Sequence, residues 1–245
     1  MPTEDERTEA IGDLSADDRR DGGDGRTDET EILREYGPFP GVASVHGVSF
    51  DGRHVWFASG DRLNALDPDT GEIAGALNIA ADAGTAFDGT HLFQIADAMI
   101  RKIDPDSGAV LNTIPAPGGG MASGLAWAEG TLWVGQYRDR TICQIDPDTG
   151  AVLRTLHSDR FVTGVSWVHG ELWHGTWEGE TSDVRRIDAE SGAVTARLAM
   201  PAGQIVSGLE SDGEDKFFCG GGNSGKIRVI RRPDAGRGAT TNRRA

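Results

Sequence analysis

IDPDTGAV (Ile145–Val152) is one of four near-copies of a phrase, the others being LDPDTGEI (Leu66–Ile73), IDPDSGAV (Ile103–Val110) and IDAESGAV (Ile187–Val194). Their leading aspartates, Asp67, Asp104, Asp146 and Asp188, follow one another at 37, 42 and 42 residues. Each phrase joins two β-rich runs through a turn in which Asp accepts backbone hydrogen bonds and Gly supplies a positive φ. Strand repeats of about 40 residues are the mark of propeller blades. The phrase lacks the alternating acids and distal Glu of a calcium loop, so its role reads as structural.

Upstream of each turn lies a second recurring unit: HGVSFDGRHVWF (46–57), GTAFDGTHLFQ (84–94), SGLAWAEGTLWV (123–134), TGVSWVHGELWH (163–174) and SGLESDGEDKFFC (207–219). Five such units stand against four turn phrases. The fifth ends in KIRVIRR and lacks an outer strand, which the run Thr30–Tyr36 can supply. The expectation is an all-β, five-bladed β-propeller whose ring is closed by an N-terminal strand in the last blade. Closure of this kind leaves no open seam for edge-to-edge pairing.

The rest of the chain agrees with one such domain at 30–233. Residues 1–35 carry 13 acidic and 5 basic side chains and no aromatic residue. That composition cannot bury enough apolar surface to offset its ordering entropy, so 1–29 is expected to be a disordered acidic tail and 234–245 a disordered basic one. The acidic tail supplies about half of the formal net charge of -15. The folded body is then only mildly acidic, which argues against a nucleic-acid face. No apolar run of membrane-spanning length and no leader pattern is present, and a cytoplasmic protein with no membrane partner is expected. Cys143 and Cys219 fall in different repeats and form no CxxC, so neither a disulfide framework nor a zinc knuckle is indicated.

Aligning the repeats on their shared glycine exposes the residues that break the pattern. Immediately before it stand His46, Ala83, Ser123, Thr163 and Ser207; two residues past it stand Ser49, Ala86, Ala126, Ser166 and Glu210. At the end of the second strand the matched residues include Gln94, Val134, His174 and Cys219. Glu210, His46, His174 and Cys219 are thus the candidate catalytic residues, with carboxylate and imidazole as acid/base and Cys219 as thiolate. Trp177, Gln136, Tyr137, Thr163, Ser123 and Ser207 are the candidate substrate-binding wall. Trp56, Trp133 and Trp173 recur in register with Phe93 and Phe218, and Trp127 and Trp167 with Phe50 and Phe87, which makes them inter-blade packing. No cofactor is required by this set; a divalent metal held by His46, His174, Cys219 and Glu210 is the competing option.

The segments GLAWAEGTLWVGQYRDRTICQIDPDTGAVLRTL (124–156) and TGVSWVHGELWHGTWEGETSDVRRIDAESGAV (163–194) resemble the bacterial and plant glutamine cyclotransferases, and the resemblance extends over about Val45–Pro233. It implies a five-bladed propeller that converts N-terminal glutamine to pyroglutamate with loss of ammonia, through a carboxylate acid/base in an axial cavity. That family has a glutamate where this chain reads Phe57-Ala-Ser-Gly60, and acids where it reads Thr163-Gly-Val-Ser166, so Glu210 would have to serve instead. Three readings follow: a cyclotransferase-like enzyme acting on a small amine- or amide-bearing substrate, a non-catalytic propeller binding a small ligand or peptide, and a thiol- or metal-dependent lyase using Cys219 with His174. The first requires Glu210, His46 and His174 to share one cavity.

Overall fold

The computed structural model describes residues 26–233. Two strands, β1 (Arg26–Glu29) and β2 (Ile32–Tyr36), precede five antiparallel hairpin-linked sets, four of four strands and a last one of three. Blade 1 is β3 (Val48–Phe50), β4 (Val55–Ala58), β5 (Leu63–Leu66) and β6 (Ile73–Leu77). Blade 2 is β7 (Thr85–Phe87), β8 (Leu92–Ala96), β9 (Met99–Ile103) and β10 (Val110–Pro115). Blade 3 is β11 (Ala122–Ala128), β12 (Thr131–Gln136), β13 (Thr141–Ile145) and β14 (Val152–His157). Blade 4 is β15 (Val162–Val168), β16 (Glu171–Glu178), β17 (Thr181–Ile187) and β18 (Val194–Ala199). Blade 5 is β19 (Gly208–Ser211), β20 (Lys216–Gly220), β21 (Ile227–Arg231) and, as its outer strand, β2.

The protein is therefore a five-bladed propeller, and the closing strand is the one the missing fifth turn phrase called for. β2 pairs with β21 in antiparallel register, Ile32 opposite Ile230 and Tyr36 opposite Ile227. The tail boundary expected at residue 29 falls mostly outside the described residues. Its last four, Arg26–Glu29, form β1, which lies parallel to β18 as a fifth strand of blade 4. No described helix is long and apolar enough to cross a membrane.

The repeated turn is held as its sequence predicts. In blade 3 Asp146 Oδ1 accepts from the backbone N–H of Asp148 and of Thr149, and Gly150, at φ 77°, closes the turn by donating to the Asp146 carbonyl. The carboxylates of Asp67, Asp104, Asp146 and Asp188 are held below the usual aspartate range by these hydrogen bonds. One oxygen of each is committed to its own loop.

Between blades the aromatic residues interlock. Phe93 of blade 2 stacks on Trp127 of blade 3 at 5.4 Å, Trp133 of blade 3 on Trp167 of blade 4 at 6.1 Å, and Phe218 of blade 5 meets Phe50 of blade 1 at 5.4 Å. Blade 5 has Ser211 where the others carry an aromatic. There Phe217 fills the space, 5.1 Å from Trp173.

The axis is narrow because each inner strand carries a glycine at the same level. A Cβ on Gly84 would sit 2.5 Å from Leu125 N, one on Gly124 2.6 Å from Val165 N, one on Gly164 2.5 Å from Leu209 N, and one on Gly208 2.5 Å from the His46 carbonyl oxygen. Gly47 is packed equally hard on Ala83 and Gly84. Five backbones thus meet where only hydrogen atoms fit, and they form a waist in the propeller.

Candidate functional site in the mouth of the propeller

Above the waist opens a cavity of about 320 Å³. Its base is the ring of residues immediately before the glycines: His46, Ala83, Ser123, Thr163 and Ser207. Its walls are Tyr137 and Trp177 on the blade 3 and 4 side, Asp82 and Ala122 near blade 2, and Ile205, Val206, Gly222 and Asn223 toward blade 5. Of the ten residues singled out from sequence, His46, Ser123, Thr163, Ser207, Tyr137 and Trp177 come together here.

The mouth is rigid. Ser123 Oγ donates to the Val162 carbonyl at 2.7 Å and Ser207 Oγ to the Val45 carbonyl at 2.6 Å, so each hydroxyl ties its blade to the next. Tyr137 stacks on Phe161 at 4.8 Å and faces Trp177 at 6.3 Å, while the Arg140 guanidinium covers the far side of Phe161 at 4.6 Å. Trp177 stands in β16, where its backbone N–H donates to the Phe161 carbonyl at 3.2 Å. The residue is 38% exposed, at the open side of the cavity.

The other four sequence candidates lie elsewhere. Gln136 turns into blade 3, where its amide approaches Cys143 Sγ at 3.1 Å. His174 is enclosed in blade 4, beside the Gly175 carbonyl at 3.3 Å, and burial, aided by the Arg185 guanidinium, pushes its pKa down to about 4. Cys219 belongs to the apolar core with Trp173 and Phe217, and burial pushes its thiol up to about 12. Glu210 sits two residues beyond Gly208, past the waist, and does not line the cavity.

These placements correct two expectations. Glu210, His46 and His174 do not converge in one cavity, because the glycine waist and the blade 4 interior separate them. Nor do His46, His174, Cys219 and Glu210 gather as metal ligands. Among the described residues the only such cluster is Asp212, Glu214 and Asp215, on the surface turn before β20. The Lys216 ammonium lies 3.8 Å from Asp212 and 3.7 Å from Asp215, and Arg231 pairs with Asp215, so two of the three charges are already met by the protein.

Two polar groups, one lining the mouth and one bonded to its histidine, escaped the sequence reading. Asp82 lines the cavity, and its charge acts on His46. Burial lowers the His46 pKa and Asp82 opposes that shift, so the imidazole is neutral at pH 7. Ser44 Oγ lies 2.8 Å from His46 Nε2. The same internal alignment carries both signals. One residue before the mouth ring the blades read Val45, Asp82, Ala122, Val162 and Val206, and two before it Ser44, Ala81, Met121, Phe161 and Ile205. Each polar residue is the one exception in its row.

No family model and no curated protein matches the chain. Among solved structures, the crystal structure of Myxococcus xanthus glutaminyl cyclase superposes with a TM-score of 0.69 at 18% identity, covering 84% of this chain and 97% of that one. The chain shares that protein's propeller fold. Kuenenia stuttgartiensis hydrazine synthase aligns with a TM-score of 0.48 at 18% identity over 73% of this chain and 56% of that one, too distant a match to build on.

Proposed function

We propose that the mouth of the propeller binds a small amine-bearing molecule, such as the N-terminal residue of a peptide, with its ammonium against Asp82. The observation that carries this reading is the inventory of the wall. The lining has one carboxylate, two aromatic rings and no Lys or Arg. The Ser123 and Ser207 hydroxyls have given their protons to main-chain carbonyls, so toward a ligand they can only accept, although Ser207 Oγ already accepts from the Gly222 N–H. Carboxylate, lone pairs and aromatic faces all favour a cation. Thr163 Oγ1, by contrast, is enclosed against Gly175 and adds nothing to the polar surface of the mouth.

A second reading adds turnover. The neutral imidazole of His46 is a competent base at pH 7, and the solved structure that shares this fold is a glutaminyl cyclase. In this reading His46, and not Glu210, moves the proton when the ligand's amine attacks its own side-chain carboxamide.

Calorimetry with glutaminyl-alanine and its N-acetyl counterpart tests the binding. The free amine is expected to bind at least about tenfold more tightly, the ~1.4 kcal/mol of one charge-assisted contact. Asp82→Asn should erase that preference, and Trp177→Ala should weaken binding with little change in melting temperature. Equal binding of the two dipeptides, or none, would remove the amine reading. Pyroglutamyl-alanine formed by the wild type but not by His46→Gln would establish turnover.

A further inference from the structure

We infer that Ser44 and His46 form a nucleophile and base pair at the rim of the mouth, and that Ser44 accepts an acyl group from a ligand bound there. The inference rests on the mouth being a ligand site and adds a covalent step to it.

Ser44 Oγ stands within hydrogen-bond reach of Nε2, at 2.8 Å, on a ring that itself lines the cavity. That contact is with the neutral ring's acceptor nitrogen when Nδ1 carries the proton, which leaves the Ser44 hydroxyl as donor. The segment is held from its own blade and from blade 5. Val45 N–H donates to the Gly222 carbonyl at 3.0 Å, His46 N–H donates to the Ala58 carbonyl at 2.9 Å, and the Val45 carbonyl accepts from Ser207. A nucleophile works only if its base is fixed within such reach, and here both sit on a backbone clamped at consecutive residues. Asp82, on the same wall, supplies the negative field that stabilises an imidazolium as it forms. The Asn223 carboxamide also lines the cavity and makes no side-chain hydrogen bond among the described residues, so it has N–H donors for an oxyanion.

In the step proposed, Ser44 Oγ bonds to the carbonyl carbon of a carboxamide while its proton passes to His46 Nε2. Collapse of the tetrahedral adduct breaks the C–N bond, and the leaving nitrogen departs as ammonia or an amine carrying the His46 proton. The acyl-serine ester is then opened by water, or by the ligand's own amine to give a lactam, and either nucleophile returns a proton through His46 to Ser44.

A fluorophosphonate reports on this pair without knowledge of the ligand. Its phosphorus bonds to the activated serine oxygen, fluoride leaves, and the serine proton passes to the base. Intact-mass measurement of the wild-type protein is expected to show one adduct, which peptide mapping places on Ser44. His46→Gln should slow labelling at least a hundredfold and Ser44→Ala should abolish it, circular dichroism confirming that both variants are folded. A wild-type protein that takes no adduct, or takes it on another residue, overturns the proposal. Wild-type protein that binds glutaminyl-alanine but takes no adduct overturns the nucleophile alone. An adduct on Ser44 without dipeptide binding upholds the pair and removes the amine site.

Discussion

The Ser166 hydroxyl donates to Glu210 Oε1 at 2.8 Å between the adjacent inner strands of blades 4 and 5, and the Ser211 N–H donates to the same oxygen at 2.8 Å. No cationic side chain perturbs this carboxyl, and burial pushes its pKa up to about 8, the two hydrogen bonds opposing the rise.

Glu210 therefore makes stability depend on pH. The folded protein holds this proton up to about pH 8, whereas the unfolded chain releases it near 4.5. Stability contributed by this site is complete below the lower value and is lost as pH rises toward the upper one. Glu210→Gln keeps an acceptor for Ser166 and carries no charge. The variant should match the wild type in urea titrations at pH 4 and exceed it at pH 8.5 by on the order of 1 to 3 kcal/mol. A wild type that gains on the variant as pH rises would contradict this.

The waist predicts a sharp contrast among glycines. Gly208→Ala places a methyl against the His46 carbonyl, at 2.5 Å, where backbone must move. Gly170, at φ 79° on the turn before β16, has open space around it. Chemical denaturation should show Gly170→Ala costing about 1 kcal/mol, a conformational strain, and Gly208→Ala costing at least about 3 kcal/mol or failing to fold.

Cys219 should be inert in the folded protein. Its thiol is fully buried and held up to about 12, so almost no thiolate exists at neutral pH. Cys143 is also buried. Iodoacetamide at pH 7.5 is expected to alkylate neither until denaturant is added, and Cys219→Ser should lower the melting temperature without changing ligand affinity. Rapid alkylation of the native protein at Cys219 would revive thiol chemistry.

How far the sequence reached depends on what repetition encodes. The turn phrase and the glycine-centred unit fixed blade count and ring closure because each is a local device, an Asp-capped turn or a hairpin, copied at constant spacing. Matching the copies also found the mouth ring of His46, Ser123, Thr163 and Ser207, since equal register means equal height along the axis. It misjudged Glu210, because register does not say that the level of Gly208 and its four counterparts lies between the mouth ring and Glu210. It misjudged Gln136 and His174 for a different reason. Along β12 and β16 alternate side chains enter the blade interior, and a polar residue there is legible only once its partner, Cys143 or the Gly175 carbonyl, is seen.

The ring has a single seam, and both its sides are gathered in blade 5. β2 also grips blade 1, with Tyr36 Oη and Arg34 each donating to the Pro68 carbonyl, while Ser207 reaches Val45 across 162 residues of chain. In the order of synthesis β2 is made early and its partner β21 last. Blades 1 to 4 can each zip up as they emerge, but the circle stays an open arc until β21 arrives. His46 and Ser207, on opposite sides of that seam, share a wall only afterwards, so the arc of the mouth on blades 2 to 4 is completed into a ring by that one late pairing.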